Sequence, residues 1–549
     1  LLKLNFVVSM VTPIIKATKG SQTKSFYTDS AFRTWYGDGK AGWKVKYYKG
    51  LGTSTSAEAR EYFKQIQDLT VRFDMDKMTD ASIILAFDKK KADARKVWLL
   101  ESTAKDANEL QVPYGNVKQL DITDFVHKDL VNFSLADLKR SIAHMADGLK
   151  PSQRKVMYAC FKKNLKDEMK VAQLAAFVAE KSAYHHGEVS LADTIVKLAN
   201  DYVGSNNINL LEPCGQFGTR LMGGKDASQT RYIFTKLTKD ARKLFDPKDD
   251  AILNYLDDDG RSIEPDFYMP TLPMVLVNGT EGIGTGFSCY VPPFNPEDIK
   301  ANIKRILSGD EIVAMRPWFR GFKGVVHKEE DTWMMEGVWN WSGNNIMVTE
   351  LPPGRWTQDY KEYLDGLVEK KLIGGFINNS TTDDVHFEIM EYAGKDLLKD
   401  LKLRKTFRVS NMHLFHPTKG IHKYASPEEI LKDFVELRLE HYKMRKAYLI
   451  DMLQKRTEMC SHKSKFVSMV IEGKLVVFKR KKQELEDEMA STFPKIDGSL
   501  DYLLNIRTVE YTDERVKALM DEAKQANEDL EKMLKTSHIT MWKTDIKNM

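Results

Sequence analysis

At 549 residues, with 42% hydrophobic and 10% aromatic residues, the chain is long enough to bury several cores, which favours roughly two to four domains. Its formal net charge of +5 is modest, so a nucleic-acid surface would have to come from local clusters of basic residues. The spacing of the four cysteines fits neither a metal site nor a disulfide framework and favours a reducing compartment. The apolar opening segment is interpreted as a buried strand rather than a signal peptide, and no apolar run approaches the roughly 20 residues of a membrane helix.

The first 115 residues mix strand-like and helical stretches, which predicts an α/β region. Residues 6–11 and 83–87 have the composition of strands, and residues 57–69 have the pattern of a helix. Between them "YYKGLGTS", residues 47–54, predicts a glycine-rich turn that leads into that helix. Such a turn could present N–H groups to a phosphate, but its spacing matches neither a P-loop nor a dinucleotide-binding loop, and an ordinary turn explains it equally well.

From residue 116 to about residue 290, short helical patterns alternate with polar loops. Residues 170–203 are predicted to form a helix, a turn and a second helix that begins at Ser190, with Asp193 completing a capping-box pattern. A helix-turn-helix places a helix end against DNA in many proteins, although ordinary packed helices have the same pattern. Residues 147–170 carry seven basic residues against three acidic ones. This fits a solvated helix face or a phosphate-contacting surface, and the neighbouring helix-turn-helix favours the latter.

The stretch "GGKDASQTRYIFT", residues 223–235, places a phenol directly after a guanidinium, behind a small and polar approach. Taken alone, it is most simply a surface turn followed by a strand, with Tyr232 packed on one face and Arg231 in water. A functional role for this pair has to be argued from the rest of the chain.

Three other stretches are typical of sites but do not have the spacing of one. The acidic stretches around Asp74 and Asp76, and at residues 257–259, do not fit an EF-hand and are interpreted as solvated turns. "NGTEGIGTG", residues 278–286, lacks the Lys-Ser/Thr of a nucleotide loop and is interpreted as a structural turn that exposes Ile283. Strands and turns then predict a mixed accessory domain up to about residue 425.

Two long helices are predicted near the end of the chain. Ser426 and Pro427 begin the first with a cap and a proline at the first helical position, and no strong breaker follows before Gly473, which predicts about 45 residues of helix. The second, residues 513–536, repeats apolar residues in the a/d register of a coiled coil. We expect an antiparallel pair with a small domain, residues 474–512, at its far end, and a homodimer formed through that domain.

Five motifs occur together, in this order and at these intervals, in the type IIA DNA topoisomerases, and the chain resembles the eukaryotic topoisomerase II over its whole length. They are "YYKGLGTS", "DGLKPSQRKV", "AYHHGE", "GQFGTRLMGGKDASQTRYIFT" and "EGIGTGFSCYVPPFNP". The glycine-rich turn and the tyrosine stretch are fused in one chain here, whereas the bacterial gyrase and topoisomerase IV carry them on separate subunits.

The resemblance implies that Tyr232 attacks a DNA phosphodiester, becomes linked to the 5′ phosphate and releases a 3′ hydroxyl. Phenols have an ordinary pKa near 10 and the transition state gathers negative charge, so the cation of Arg231 would assist in both respects. Ile283 matches the wedge that inserts between base pairs and bends the DNA. The residues that match DNA-contacting positions of the family are Arg140, Lys150, Arg154, Lys170, His185, His186 and Lys225. The residues that match its Toprim turn are Lys49, Gly50 and Gly52.

The fold class implied is multidomain α/β and α+β. The segments are the C-terminal part of a Toprim domain over residues 1–115, a winged-helix (helix-turn-helix) DNA-cleavage domain over 116–290, a mixed tower domain over 291–425, and a long antiparallel coiled coil with a small C-gate domain over 426–549.

The implied function is that of an ATP-dependent topoisomerase core that cuts both strands of a duplex, passes a second duplex and rejoins the first, relaxing and decatenating DNA. A clamp that bends DNA without any chemistry is the alternative. In the family a Glu and a D-x-D hold Mg²⁺; Asp74 and Asp76 do not match them, so the Mg²⁺ ligands and the ATP-binding domain are expected upstream of residue 1. The expected partners are double-stranded DNA and a second copy of the chain, with no membrane, and the nucleus is expected from the resemblance alone.

Overall fold

The computed structural model describes residues 1–549 except for 5, 38, 49, 104, 106–108, 113, 116, 185, 186, 259 and 497. The described residues form two compact units. The first unit comprises Leu1–His144, Thr280–Val291 and Val409–Ala425, and the second comprises Met145–Gly279, Pro292–Arg408 and Ser426–Met549. Both units mix helices and strands, as expected, while the division into four domains stays a prediction. No helix among the described residues has both the length and the apolar character needed to cross a membrane.

The first unit contains the following elements. Its helices are α1 Asp29–Tyr36, α2 Ser56–Lys64, α3 Ile66–Leu69, α4 Thr79–Phe87, α5 Ala92–Thr103, α6 Ile122–Asp124 and α7 Val131–Ser141. Its strands are β1 Val8–Met10, β2 Ile15–Lys19, β3 Gln22–Phe26, β4 Lys44–Tyr47, β5 Thr70–Asp74, β6 Gln119–Asp121, β12 Thr280–Ile283, β13 Ser288–Val291, β21 Met412–His416 and β22 Gly420–Tyr424.

Small sheets organise the first unit. Strand β5 pairs with β1 in the antiparallel and with β6 in the parallel direction, and β2 lies between β3 and β4 in an antiparallel sheet. Hairpins β12–β13 and β21–β22 complete the strands. The glycine-rich turn after β4 leads into α2, as predicted.

Residues 83–87, predicted as a strand, form the end of helix α4 instead. A short apolar run has no period that distinguishes a strand from a buried helix. The helix begins at Thr79 after a turn in which the carboxylate of Asp76 accepts a hydrogen bond from the N–H of Met78 at 3.0 Å and from the hydroxyl of Thr79 at 2.8 Å. The prediction was wrong because this helix start lies outside the apolar run.

The second unit contains the following elements. Its helices are α8 Pro151–Lys163, α9 Val171–Lys181, α10 Glu188–Ala199, α11 Ala241–Leu244, α12 Met274–Val277, α13 Pro296–Ser308, α14 Thr357–Glu369, α15 Leu397–Asp400, α16 Pro427–Ile471, α17 Lys482–Met489, α18 Asp501–Leu504, α19 Asp513–Lys535 and α20 His538–Lys547. Its strands are β7 Met169–Lys170, β8 Leu211–Cys214, β9 Phe234–Leu237, β10 Tyr255–Asp258, β11 Arg261–Pro265, β14 Val325–Glu329, β15 Thr332–Glu336, β16 Val338–Ser342, β17 Asn345–Glu350, β18 Gly375–Asn378, β19 Phe387–Met390 and β20 Arg404–Phe407.

Helices α8, α9 and α10 pack together, and strand β9 lies between β7 and β8 in an antiparallel sheet. The predicted helix pair is present, but α10 begins at Glu188 rather than at Ser190. Gly187 has the extended backbone of a capping residue, which leaves the acidic Glu188 in the first turn, where it complements the helix dipole. Further along, sheet β16-β17-β19-β18 packs with α14 around a fully buried core that includes Val348 and Phe387.

The predicted pair of long helices is confirmed. The hydroxyl of Ser426 accepts from the N–H of Glu429 at 3.2 Å, and α16 then runs for 45 residues to Ile471. Helix α19 is antiparallel to it, since Lys446 donates to the carbonyl of Leu534, while residues near the end of α16 pack with residues near the start of α19. Residues 475–503 close the far end around a small core.

A buried ion network fastens the first half of α16. Arg445 donates through Nε to Asp249 at 2.6 Å and through Nη1 to Asp246 at 3.1 Å and to Asp545 at 2.8 Å. Tyr442 donates to the same carboxylate of Asp545 at 2.7 Å. Because buried charges are tolerated only when paired, this network fixes the helix both to the turn around residues 246–249 and to α20.

Candidate active site

Tyr232 lies near the end of a loop, residues 215–233, that leads into β9. Its side chain is 65% exposed, although the adjacent Ile233 is buried. The guanidinium carbon of Arg231 lies 4.8 Å from the centre of the Tyr232 ring, which is within cation–π distance. The structure therefore has the surface turn and following strand of the simpler interpretation, but it exposes Tyr232 beside Arg231 instead of packing it on one face of the strand.

The backbone on both sides of Tyr232 is fixed to the start of helix α9. The N–H of Ala172 donates to the carbonyl of Thr230 at 3.1 Å, and that of Val171 donates to the carbonyl of Ile233 at 3.0 Å. The first N–H groups of a helix have no partner within the helix, so the loop supplies the acceptors that they need. The backbone on both sides of Tyr232 is thereby held at the start of α9, while its side chain stays exposed.

The middle of the loop is closed on itself. The carboxylate of Asp226 accepts from the N–H of Thr219 at 2.9 Å and from its hydroxyl at 2.6 Å, and the N–H of Gly224 donates to the Thr219 carbonyl at 3.0 Å. Gly218 is required here, because a methyl group on it would lie 2.5 Å from the Cα of Gly224. Lys225, on this closed loop, is exposed, as a DNA contact requires.

Arg220 attaches the loop to β17. Its guanidinium pairs with the carboxylate of Glu350, and both residues are buried, at 5% and 1% exposure. The carbonyl of Leu221 also accepts from the N–H of Gln358 at 2.9 Å, at the start of α14. The sequence analysis missed Arg220 because its partner lies 130 residues away, and no local pattern indicates such a pair.

Arg154, predicted as a DNA contact, is buried at 6% exposure and is not placed for one. Its Nε and Nη2 donate to the fully buried carboxylate of Asp147 at 2.7 and 3.1 Å, and Nη2 also donates to the Leu149 carbonyl at 2.9 Å. Asp147 accepts in addition from the N–H of Tyr268 at 2.9 Å. Arg154 therefore holds the start of α8, and Lys155, which pairs with Glu264 at 2.8 Å, is likewise mostly buried.

The remaining predicted contacts of this unit differ in exposure. Lys170, on β7, is exposed, and its Nζ lies 5.8 Å from the centre of the Phe234 ring. Lys150 is half-buried at the start of α8. His185 and His186, between α9 and α10 in the sequence, lie outside the described residues.

Ile283 belongs to the first unit, at the end of strand β12. Its side chain is 78% exposed, as predicted for the turn that carries it. The glycines on either side face helix α7: a methyl group on Gly282 would lie 2.1 Å from the carbonyl oxygen of Ser141, and one on Gly284 would lie 2.9 Å from Leu138. Because alternate residues of a strand point to opposite faces, this close backing aims Ile283 away from the helix.

Arg140, on α7 of the same unit, is exposed. Its Nε and Nη2 donate to Asp137 at 3.0 and 2.8 Å, in an ion pair one turn along the helix. The guanidinium also lies over the ring of Phe133, with 5.5 Å between its carbon and the ring centre. The exposure of Arg140 is compatible with a phosphate contact.

The "YYKGLGTS" turn is followed by a capping box formed by Thr55 and Glu58. Gly50 has φ 95°, a conformation that favours glycine, whereas Gly52 has no such constraint, and Lys49 lies outside the described residues. The carboxylate of Glu58 accepts from the N–H of Thr55 at 2.7 Å and also from the hydroxyl of Tyr48. Burial opposes the ionisation of Glu58, but these bonds outweigh it and lower its pKa to about 2. The turn thus leads into the capped start of α2, and the choice between a phosphate contact and an ordinary turn stays a prediction.

The described acidic residues do not fit a Mg²⁺ site. No group of three or more potential ligands gathers in the part of the chain that the structure describes. Asp74 pairs with Arg72 at 3.0 Å, and Asp76 accepts hydrogen bonds from Met78, Thr79 and Thr123. Both carboxylates therefore already have structural partners.

Two family patterns match the chain. The family of the DNA gyrase/topoisomerase IV A-type subunits matches residues 140–547, and the family described as "C-terminal associated domain of TOPRIM" matches residues 10–138. A solved structure described as "Crystal structure of Plasmodium falciparum topoisomerase II DNA-binding, cleavage and re-ligation domain" matches with a TM-score of 0.83 and 41% identity, over 99% of this chain and 79% of that chain.

Curated relatives are similar along nearly the whole chain. "DNA topoisomerase 2" of Plasmodium falciparum (isolate K1 / Thailand) and of Arabidopsis thaliana are each 40% identical over 99% of this chain, which corresponds to 42% and 41% of their own lengths. "DNA topoisomerase 2, mitochondrial" of Dictyostelium discoideum is 40% identical over 100% of this chain and 44% of its own length. The chain thus spans about two fifths of the length of these relatives.

Proposed function

This chain belongs to the family of the DNA gyrase/topoisomerase IV A-type subunits, and from that premise we propose that it is the DNA-cleaving and rejoining core of a type II topoisomerase. Tyr232 is its nucleophile and Arg231 its cationic assistant. Ile283 is the wedge that bends the DNA, and Arg140, Lys150, Lys170 and Lys225 contact the DNA backbone.

In the proposed reaction, the hydroxyl oxygen of Tyr232 attacks the phosphorus of one phosphodiester. The bond from phosphorus to the 3′ oxygen breaks as the tyrosine–phosphorus bond forms, and the phenol proton ends on the leaving 3′ oxygen. The new phosphotyrosine diester conserves the energy of the broken bond, so the reverse step reseals the strand without ATP.

One observation carries this proposal: an exposed phenol has a guanidinium 4.8 Å from its ring centre, on a loop fixed to the first turn of a helix. A neighbouring cation offsets the negative charge that gathers in the transition state. A clamp that only bends DNA has no use for a phenol in this position.

We propose a homodimer that cuts both strands with a short 5′ overhang and passes a second duplex through the gap. Exposed apolar side chains at the far end of the α16–α19 pair support a contact with a second copy there. They are Ile471, Val476, Phe478, Val509 and Met520. The finer assignments belong to the same proposal: a partial Toprim region, a winged-helix domain, a tower, and a coiled coil with a C-gate.

Mg²⁺ and ATP are generally used by the family, and for this protein both stay predictions. The described carboxylates do not fit a metal, so the proposed chemistry assigns no metal ligand among them. A nuclear location also stays a prediction, since one of the relatives is named a mitochondrial protein.

The test is covalent capture on a duplex whose leaving 3′ oxygen is replaced by a bridging sulfur at a nick. The labelled duplex is incubated with the chain, with and without Mg²⁺; the protein is then denatured, and any adduct is mapped by mass spectrometry. We expect an adduct on Tyr232. We expect Tyr232→Phe to abolish it while leaving DNA affinity nearly unchanged, because the variant lacks only the nucleophilic oxygen.

Tyr448→Phe is the matched control, since Tyr448 is a 39% exposed tyrosine on helix α16 of the same unit, and its adduct yield should equal that of the unaltered chain. An adduct on another residue, or an equal loss of capture and affinity in Tyr232→Phe, would refute the assignment. Tight binding without any adduct would favour the clamp.

A further inference from the structure

Asp137, near the end of helix α7, contacts two features of the first unit at once. Its Oδ2 accepts from the N–H and from the hydroxyl of Thr285, each at 3.0 Å, in the turn of hairpin β12–β13. Its Oδ1 accepts from Nε and Nη2 of Arg140 at 3.0 and 2.8 Å. One carboxylate thus joins the turn next to Ile283 to an exposed cation one helical turn away.

We propose that Asp137 is a positioning residue that fixes the hairpin of Ile283 in register with Arg140. The distance along the DNA between the phosphate that Arg140 binds and the base step that Ile283 opens is then fixed. This inference rests on the proposed function, because Ile283 and Arg140 contact DNA only under that proposal.

A wedge needs a firm support. Opening a base step costs free energy, and the wedge transmits that load to its own backbone. Strands β12 and β13 have four residues each, and an isolated two-stranded hairpin is at best marginally stable. The contacts of Gly282 and Gly284 with α7 resist motion towards the helix. Asp137 adds directional, charge-assisted bonds that resist sliding along it.

The charge state of Asp137 suits this role. Burial opposes its ionisation, but hydrogen bonds from Arg140 and Thr285 outweigh burial and lower its pKa, so the side chain is a carboxylate at neutral pH. An exposed ion pair contributes little to stability by itself, which leaves positioning as the better explanation for the Arg140 contact. A guanidinium has five N–H donors, of which Asp137 takes two, so Arg140 can bind a phosphate without leaving Asp137.

The first measurement is hydrogen exchange of the intact chain without DNA, on a peptide that covers residues 282–288. We expect Asp137→Ala to speed exchange in this peptide about tenfold or more, because the Thr285 N–H loses a charged acceptor. Asp124→Ala is the matched control, since it removes an exposed carboxylate that pairs with Lys128 on the preceding turns. Arg140→Gln should leave the hairpin close to its normal rate. Unchanged exchange in Asp137→Ala would overturn the inference.

The second measurement is DNA bending, read from energy transfer between the labelled ends of a duplex at saturating protein, with affinity measured separately. We expect Asp137→Ala to lower the bent fraction several-fold with a smaller change in Kd, and Asp137→Asn, which keeps an oxygen for Thr285, to recover part of the bending. Fast exchange with normal bending would mean a merely structural role and would overturn the inference. If Ile283→Ala itself bends DNA normally, the wedge assignment of the proposed function fails, and the exchange data alone decide whether Asp137 fixes the hairpin.

Discussion

The loop of Tyr232 and the hairpin of Ile283 each carry an exposed side chain of proposed function near glycines, but they are attached to the rest of the protein differently. The loop depends on Arg220 and Glu350, which are buried at 5% and 1% exposure. The turn of the hairpin is hydrogen-bonded to Asp137, whose side chain is 19% exposed and also contacts the exposed Arg140. The Arg220–Glu350 ion pair is part of a packed interior, and the contacts of Asp137 lie near the surface.

This difference has an energetic meaning. A buried charge without its partner is strongly destabilising, so the loop of Tyr232 can be released only at a large cost to the fold around it. The contacts of Asp137 near the surface can break locally at a much smaller cost in free energy, because water solvates the separated groups. The side chain proposed to react is therefore held by buried ion pairing, and the side chain proposed to enter the DNA is held by hydrogen bonds to a partly exposed carboxylate.

The largest expected effect comes from Glu350→Gln, which breaks the buried ion pair with Arg220. Arg220 would keep its charge without its ion-pair partner, and we expect the free energy of unfolding to fall by about 3–5 kcal/mol. Urea denaturation measures this change. Glu336→Gln, which removes the partner of the exposed Arg404, is the control and should cost less than about 1 kcal/mol. Equal losses in the two variants would contradict the contrast between the fastenings.

Ile283→Ala sharpens the comparison because it removes the exposed isoleucine side chain and leaves the hydrogen bonds between Asp137 and Thr285 intact. Since Ile283 is 78% exposed, the free energy of unfolding should change by no more than about 0.5 kcal/mol, while the bent fraction of a bound duplex falls clearly. Energy transfer between the duplex ends measures the bend. Leu534→Ala, an exposed apolar substitution on α19, should leave the bend unchanged, and an unaltered bend in Ile283→Ala would exclude the wedge.

The smallest effect is a dependence on pH. Because the pKa of Asp137 is lowered in the folded protein, its contribution to stability is present above the ordinary carboxylate pKa and is lost as pH falls through the folded value. The difference in unfolding free energy between the unaltered chain and Asp137→Asn should be constant from about pH 5 to 7 and shrink below about pH 4. A difference that grows on acidification would contradict this assignment.

Local signals in the sequence were sufficient where the structure depends on local contacts. Helix α16 begins after Ser426 and ends before Gly473, as predicted, because a cap and a helix breaker act within a few residues. Ile283 was correctly expected to be exposed, since the glycines beside it leave no neighbouring side chain to cover it. The roles of Tyr232 and Arg231 were predicted from the family resemblance alone. The structure shows that the two side chains lie close together and are exposed.

Long-range partners were not visible in the sequence. Asp137 and Thr285 are 148 residues apart, and Arg220 and Glu350 are 130 apart, so the contacts that position the exposed side chains appear only in the folded chain. Arg154 is different, because its partner Asp147 lies seven residues away within the same basic stretch. The high positive charge of that stretch favoured a phosphate-contacting surface, whereas Arg154 within it forms a buried ion pair.

The ion network around Arg445 makes the rest of helix α16 a lever. From Arg445 to Ile471 the helix extends about 40 Å at 1.5 Å per residue, and α19 pairs along much of this length. A tilt of about 10° at the network would carry the far end sideways by about 7 Å over that arm. A small repacking of one buried carboxylate in the network would leave the helix itself intact. The far end of the helix would nevertheless move by more than the rise of a whole helical turn.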